Sequence, residues 1–339
     1  MDVQKRFELV KRNTAEIVTE EELKDLLKKK KPPVAYLGTA VTGRPHIGYF
    51  AWVLKMADLM NAGFKVKILL ADLHGALDNC PWEVLDKRFK YYKKIIPLMF
   101  KALDVDLSKL EFVKGSDYEL SKDYCFDILK MSSLASVRDC KKAASQVVKN
   151  VEGEGAKLSG LIYPIMQTLD EEYLGVDMQV GATDQRKIFM FARENHPKMN
   201  RKPRIGLMVP MIPGLVGKKM SSSDAGSKID LLDSPEVVEK KVKNAECVAG
   251  NPDNGLMAFL KYVIMTLKLD DKQNFIIERD EKYGGNLEYK TYGEVEKDFI
   301  SKKLHPLDLK NAVAKEINDL LSLIQKNKKE LEKLSREAY

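Results

Sequence analysis

Apolar and polar positions change their rhythm three times along this chain. Residues 1–30 are charged and helical in pattern. Thr19 followed by Glu22 has the form of a capping box ahead of Leu23, Leu26 and Leu27, and Pro32-Pro33 then stops the segment. From Val34 short apolar runs take over, each reading as a buried strand: Val34–Gly38, Val66–Ala71, Glu111–Val113, Val176–Gly181 and Ile205–Val209. Amphipathic helical stretches separate them at about 48–61, 82–103, 117–133 and 183–195. Short buried strands alternating with helices predict an α/β fold with a doubly wound parallel sheet, and in such sheets ligands bind beyond the carboxyl ends of the strands. Past residue 232 helical periodicity dominates. Ser234-Pro235-Glu236 reads as a helix start, and Leu309, Val313, Ile317, Leu320 and Ile324 mark one long amphipathic helix. The division expected is 1–232 and 233–339, the second part mostly helical.

Composition narrows the class without choosing a function. The chain has 339 residues, 44% hydrophobic and 32% charged, which fits a soluble globular protein of two domains. No apolar run approaches a membrane span, and the N-terminus has the form of neither a secretory signal nor a transit peptide. A net charge of +7 is compatible with a polyanionic partner such as RNA. Cys80, Cys125, Cys140 and Cys247 lack zinc-ligand spacing, and with four histidines in all, no protein-bound metal is expected. A reduced cytoplasmic protein is the simplest expectation.

Two loops carry candidate chemistry. The first is Tyr36-Leu37-Gly38-Thr39-Ala40-Val41-Thr42-Gly43-Arg44-Pro45-His46-Ile47-Gly48-Tyr49. A strand runs into small residues and then a helix start. Such a turn lets a nucleotide approach the backbone and favours phosphate at the helix N-terminus, although by itself it also suits an ordinary strand–loop–helix connection. The second is Lys219-Met220-Ser221-Ser222-Ser223, preceded by Gly214 and Gly217 in a glycine-bearing loop. A lysine brought over phosphates neutralises charge that grows in a transition state. Between them, Tyr163, Gln167, Asp170 and Leu174 fall on one helix face. A face joining an aromatic, an amide and a carboxylate suits a substrate with an ammonium group and a phenol. His74 follows the second strand at its carboxyl end.

These motifs resemble the HIGH and KMSKS signatures of class I aminoacyl-tRNA synthetases. Together with Ala71-Asp72-Leu73-His74, Tyr163–Gln167, Asp170, Val176-Asp177, Asp184–Ile188 and His305–Asn311, they resemble the tyrosyl-tRNA synthetases of eukaryotic cytosolic and archaeal type over nearly the whole chain. Two positions depart from the common signatures. Tyr49 stands where a second histidine is usual, and Ser222 where a second lysine is usual, as in the tyrosyl subgroup.

The resemblance implies a Rossmann-like catalytic domain over 1–232, with a helical insertion at about 115–160 that forms a homodimer interface, and an anticodon-binding domain over 233–339. It implies ATP with Mg2+, L-tyrosine and tRNA(Tyr) as substrates and partners, and no membrane. Residues matching Tyr36 and Asp170 hydrogen-bond the phenolic hydroxyl. Those matching Tyr163, Gln167 and Gln185 hold the ammonium group, and Ala71 and His74 lie near the tyrosine. Gly38, Thr39, Ala40, His46, Gly48, Tyr49, Gly181, Asp184, Val209 and Met220 would border ATP. His46, Lys219, Ser221 and Ser222 would serve the phosphates. Arg186 would read the acceptor end of the tRNA, and Tyr283 and Asp308 the anticodon. Neither an editing domain nor the appended C-terminal domain of animal relatives is expected.

Overall fold

Strands β2 (Val34–Ala40), β3 (Lys65–Ala71), β4 (Leu110–Lys114), β5 (Met178–Ala182) and β6 (Ile205–Val209) pair in parallel, because helices carry the chain back between them. The computed structural model describes residues 1–149, 151, 153, 155–217, 220 and 226–339. The sheet order is β1-β6-β5-β2-β3-β4, so the chain winds one way from β2 through β3 to β4 and the other way through β5 to β6. The reversal falls between β2 and β5, and a crevice opens at their carboxyl ends. The register there sets Tyr36 beside Gln179.

The sixth strand escaped the sequence pattern. β1 (Glu16–Val18) pairs antiparallel with β6, between helices Val3–Lys11 and Glu20–Leu27, where helical periodicity predicted helix throughout. Three residues are too few for an alternation to register, and the available edge of β6 decides their conformation. The Thr19–Glu22 capping box forms. The stretch expected as helix from 117 starts at Lys122, because residues 115–117 make a 3-10 turn and the Ser121 side chain caps the helix by accepting from the Tyr124 N–H.

Beyond residue 232, helix Pro235–Asn244 begins at the expected proline. The long C-terminal helix covers Pro306–Lys326 and buries Leu309, Val313, Ile317, Leu320 and Ile324, but it ends at Asn327, and a further helix spans Lys328–Ala338. A small antiparallel pair, β7 (Phe275–Ile277) and β8 (Leu287–Tyr289), was not expected in a helical region. Both C-terminal helices pack on helix Leu85–Ala102, and one cluster of buried apolar side chains runs from Phe7 to Ala338. The two parts read from the sequence therefore share a continuous core. Among the described residues no helix is long and apolar enough to cross a membrane.

A buried ionic knot ties the first helix to this core. Lys55 donates to the Val10 carbonyl at 2.9 Å and to Asp58 at 3.2 Å, while Arg12 joins Asp58 to Asp270. Burial, the larger influence, pulls the Lys55 ammonium down to about 8 against the opposing pull of Asp58. Removing one partner strands the other's buried charge. Asp58→Ala is expected to cost about 3 kcal/mol, measured as a lower urea midpoint with an unchanged slope.

Candidate active site

The crevice at the reversal point is a cleft of about 350 Å³, within the size usual for small-ligand sites. Every described residue expected to meet tyrosine or ATP lines it. β2 and the turn after it supply Tyr36, Gly38, Thr39, Ala40, His46, Gly48 and Tyr49. Ala71 and His74 come from the end of β3, and Tyr163, Gln167 and Asp170 from helix Ser159–Tyr173. Gly181 lies in β5, Asp184 and Gln185 follow it, Val209 ends β6, and Met220 also lines the cleft. Lys219, Ser221 and Ser222 lie outside the described residues.

At the floor, Asp170 is 1% exposed and receives two hydrogen bonds on the same oxygen. The Tyr118 hydroxyl donates to Oδ1 at 2.7 Å and the Tyr124 hydroxyl at 2.8 Å. Its other oxygen, Oδ2, faces Nε2 of His74 at 3.6 Å. Tyr36, fully buried, accepts from Gln179 Nε2 at 2.6 Å and donates weakly to the Gln167 carbonyl at 3.3 Å. Burial, then the charge of Asp170, pushes the Tyr36, Tyr118 and Tyr124 hydroxyls upward, so all three stay neutral donors. Burial also raises Asp170 far above the ordinary carboxylate range. The charge of Glu119 adds to that rise, and His74 and the two hydroxyls oppose it.

Higher in the cleft, Gln167 donates its amide N–H to Gln185 Oε1 at 3.0 Å, joining the helix face to the end of β5. Tyr163 meets the His74 ring edge-on at 4.7 Å. The paired amides, the Tyr163 hydroxyl and Asp78 all line the cleft, and their acceptors suit an ammonium group.

The opposite end is built by the turn after β2. His46 precedes a 3-10 turn, Ile47–Tyr49, that continues into helix Phe50–Asn61, with the Ile47 N–H donating to the Ile229 carbonyl at 3.1 Å. A Cβ on Gly48 would lie 3.0 Å from the His46 ring, so glycine there is what leaves the imidazole its place. Gly181 has a different reason: a Cβ would sit 2.9 Å from Phe189 and 3.0 Å from Gln185, so packing inside the protein already demands glycine. Gly38 carries no such demand, and its face opens on the cleft.

Sequence patterning missed Tyr118, Tyr124, Gln179 and Glu119. Gln179 had a legible signal, a polar residue inside an apolar buried strand. The others come from the segment after β4, whose position against Asp170 and His74 is a tertiary matter. His74, Glu119 and Asp170 approach within 4.8 Å of one another, yet the imidazole stands between the carboxylates with one nitrogen towards each. That is an ion-pair chain, not a set of ligands converging on one centre.

The remaining expected residues lie away from the cleft. Arg186 makes a two-pronged pair with Glu16, at 2.6 and 2.9 Å. Tyr283 is 65% exposed, just before Gly284 and Gly285, both in the left-handed region. Asp308 sits in the first turn of helix Pro306–Lys326. Arg279, which the sequence did not single out, links these two places. It donates to the Gly285 carbonyl at 2.9 Å and lies 4.0 Å from Asp308.

Comparison with known proteins agrees with this architecture. The family model for class I tRNA synthetases of the W and Y type matches residues 28–322. The cytoplasmic tyrosine–tRNA ligase of Gallus gallus is 48% identical over 99% of this chain, although the chain spans 63% of that relative's length. The cytoplasmic enzyme of Saccharomyces cerevisiae is 46% identical over the whole chain and 89% of its own length. The tyrosyl-tRNA synthetase of Archaeoglobus fulgidus, solved with L-tyrosine, is 41% identical, with a TM-score of 0.88 over 96% of this chain and 99% of that one. With its motif-bearing turn at the reversal point of the sheet and a tyrosine–carboxylate floor beneath, this chain belongs to the tyrosyl-tRNA synthetase family of class I.

Proposed function

We propose that this chain activates L-tyrosine with ATP, giving tyrosyl-adenylate and pyrophosphate, and then transfers the tyrosyl group to the 3'-terminal adenosine of tRNA(Tyr). The observation that carries the reading is the floor of the cleft, where two buried polar groups, Tyr36 and Asp170, line the same pocket. Phenylalanine would bring no hydroxyl for either to bond. A tyrosyl enzyme is itself the reference case for that penalty, about 10⁵ in discrimination without editing. An indole, with a single N–H donor, has no use for the pair.

Tyr163, Gln167 and Gln185 hold the ammonium group, which leaves the substrate carboxylate pointing towards the turn after β2. There it attacks the α-phosphorus of ATP in line, one P–O bond forming as the bond to pyrophosphate breaks. Magnesium belongs to the substrate, as MgATP. His46 donates to the phosphates, and Lys219, Ser221 and Ser222 add charge and hydroxyls to the departing pyrophosphate. A ribose hydroxyl of the tRNA then attacks the tyrosyl carbonyl and AMP leaves. The protein contributes placement and charge stabilisation, with no covalent intermediate of its own.

The functional division is 1–232 for catalysis and 233–339 for the anticodon. Tyr283 stacks on a base, Asp308 accepts hydrogen bonds from it, and Arg186 leaves Glu16 for the acceptor stem. Leu120, Phe126, Leu129, Leu134 and Val137 expose an apolar face on the insertion between β4 and β5. That face suits a second copy of the chain, which makes the protein a homodimer. A cytoplasmic location follows from the same reading.

Three outcomes are expected. ATP–pyrophosphate exchange should run with tyrosine and not with phenylalanine or tryptophan, and Asp170→Ala and Lys219→Ala should each lower it by about 10² or more. Exchange driven by tryptophan would overturn the specificity. Tyr283→Ala should leave exchange unchanged while lowering kcat/KM for tRNA by about tenfold, the loss of one base stack. Phe126→Asp with Leu129→Asp should halve the mass seen by light scattering.

A further inference from the structure

Glu119 is a buried acid with no part in the proposed chemistry. It is 1% exposed, and neither carboxylate oxygen has a hydrogen-bond partner among the described residues. Its place is nonetheless fixed. Its N–H donates to the Gly115 carbonyl at 3.0 Å, and its carboxylate packs where a Cβ on Gly115 would lie, 2.7 Å from both oxygens. Asp72 anchors the turn by accepting from the Ser116 N–H at 2.9 Å and its hydroxyl at 2.7 Å. The ion-pair partner of Glu119 is His74, whose Nδ1 lies 3.4 Å from Oε1. The far side of the same ring faces Asp170, so the order is Glu119, His74, Asp170. An unpaired charge this deep would be intolerable, and a cationic imidazole between two carboxylates is the arrangement that makes both acids bearable.

We propose that Glu119 is a positioning residue for amino-acid recognition: it holds the His74 imidazolium from its Nδ1 side, which leaves Oδ2 of Asp170 free to accept the substrate's phenolic hydroxyl. This rests on the tyrosine reading of the cleft. Without the Glu119 charge, Asp170 becomes the anion nearest the imidazolium, the ring closes on Oδ2, and it competes with the phenol. The charge balance agrees. Burial works against a proton on His74, but the adjacent carboxylate of Glu119, then the charges of Asp170 and Asp72, outweigh it and raise the ring.

Among the described residues, the other groups facing the trio do not supply a second cation. Tyr36 comes from β2, Tyr118 and Tyr124 from the segment after β4, and Tyr163 and Glu171 from helix Ser159–Tyr173. Glu171 is engaged with His196 at 2.8 Å. Asp72 adds an anion from the end of β3, with Lys114 3.8 Å beyond it.

The trio carries one net negative charge when Glu119 and Asp170 are ionised and His74 is protonated. Glu119→Gln makes it neutral. Adding a proton to a neutral cluster is harder than to an anionic one, and removing a proton from it is easier. Both limbs of the pH profile for tyrosine-dependent kcat/KM should therefore move towards acid.

The test is ATP–pyrophosphate exchange by the full chain, wild type and Glu119→Gln, across pH. The expected result is a rise of about tenfold in KM for tyrosine, the size of one hydrogen bond to a charged group. The KM for ATP and kcat should be little changed, and both limbs should shift to lower pH. An unshifted profile with an unchanged KM for tyrosine overturns the proposal. Should the variant not fold, nitrogen NMR of the wild type decides, since four histidines make assignment tractable. His74 protonated on both ring nitrogens at neutral pH supports the proposal, and a neutral ring overturns it. Wild-type protein that shows no tyrosine-dependent exchange would defeat the functional reading instead, leaving the charge on His74 to be judged by the NMR alone.

Discussion

A carboxylate as deeply buried as Asp170 survives only because two other parts of the chain bring it partners. Helix Ser159–Tyr173 carries the acid, the segment after β4 delivers the Tyr118 and Tyr124 hydroxyls, and the end of β3 delivers His74. Tyr124 and His74 are buried and Tyr118 is half-buried, so each depends on the sheet that spaces those elements. The floor of the cleft is consequently also a structural junction, and its polar groups specify the packing around them as much as they receive a substrate.

The sheet supplies the rest of the geometry. Winding in two directions from β2 opens the crevice between β2 and β5, and the parallel arrangement puts the carboxyl ends of β2, β3, β5 and β6 on one rim. The same register that sets Tyr36 beside Gln179 lets the amide hold the tyrosine hydroxyl. At the opposite end of the cleft, glycine at 48 is needed for the His46 ring, and glycine at 181 for Phe189 and Gln185. Small residues around a ligand site can thus serve the protein's own packing, and a glycine in a motif is not by itself a sign of close approach by a nucleotide.

The ionic knot of Arg12, Lys55, Asp58 and Asp270 has a comparable role farther out. It joins the first helix, helix Phe50–Asn61 and helix Met265–Asp270, which belong to both parts of the chain as divided by sequence. With a continuous apolar core beneath, the C-terminal helices rest on the same helix, Leu85–Ala102, that backs the turn after β2 through Arg88 and Tyr92.

The sequence by itself determined what depends on near neighbours. Five strands, the main helices, the Thr19–Glu22 cap and the face holding Tyr163, Gln167 and Asp170 were legible because period and capping are local properties. The two signature loops were legible because their residue types are unusual together. What required the tertiary structure was everything decided by a distant partner. β1 is a strand because the edge of β6 is available, and β7 and β8 pair within a helical region. Tyr118, Tyr124 and Glu119 reach Asp170 and His74 only because the chain packs the segment after β4 against them, and Arg279 links Tyr283's loop to Asp308 across the C-terminal part. A buried charge is acceptable or ruinous according to what stands next to it, and sequence spacing alone does not reveal the neighbour.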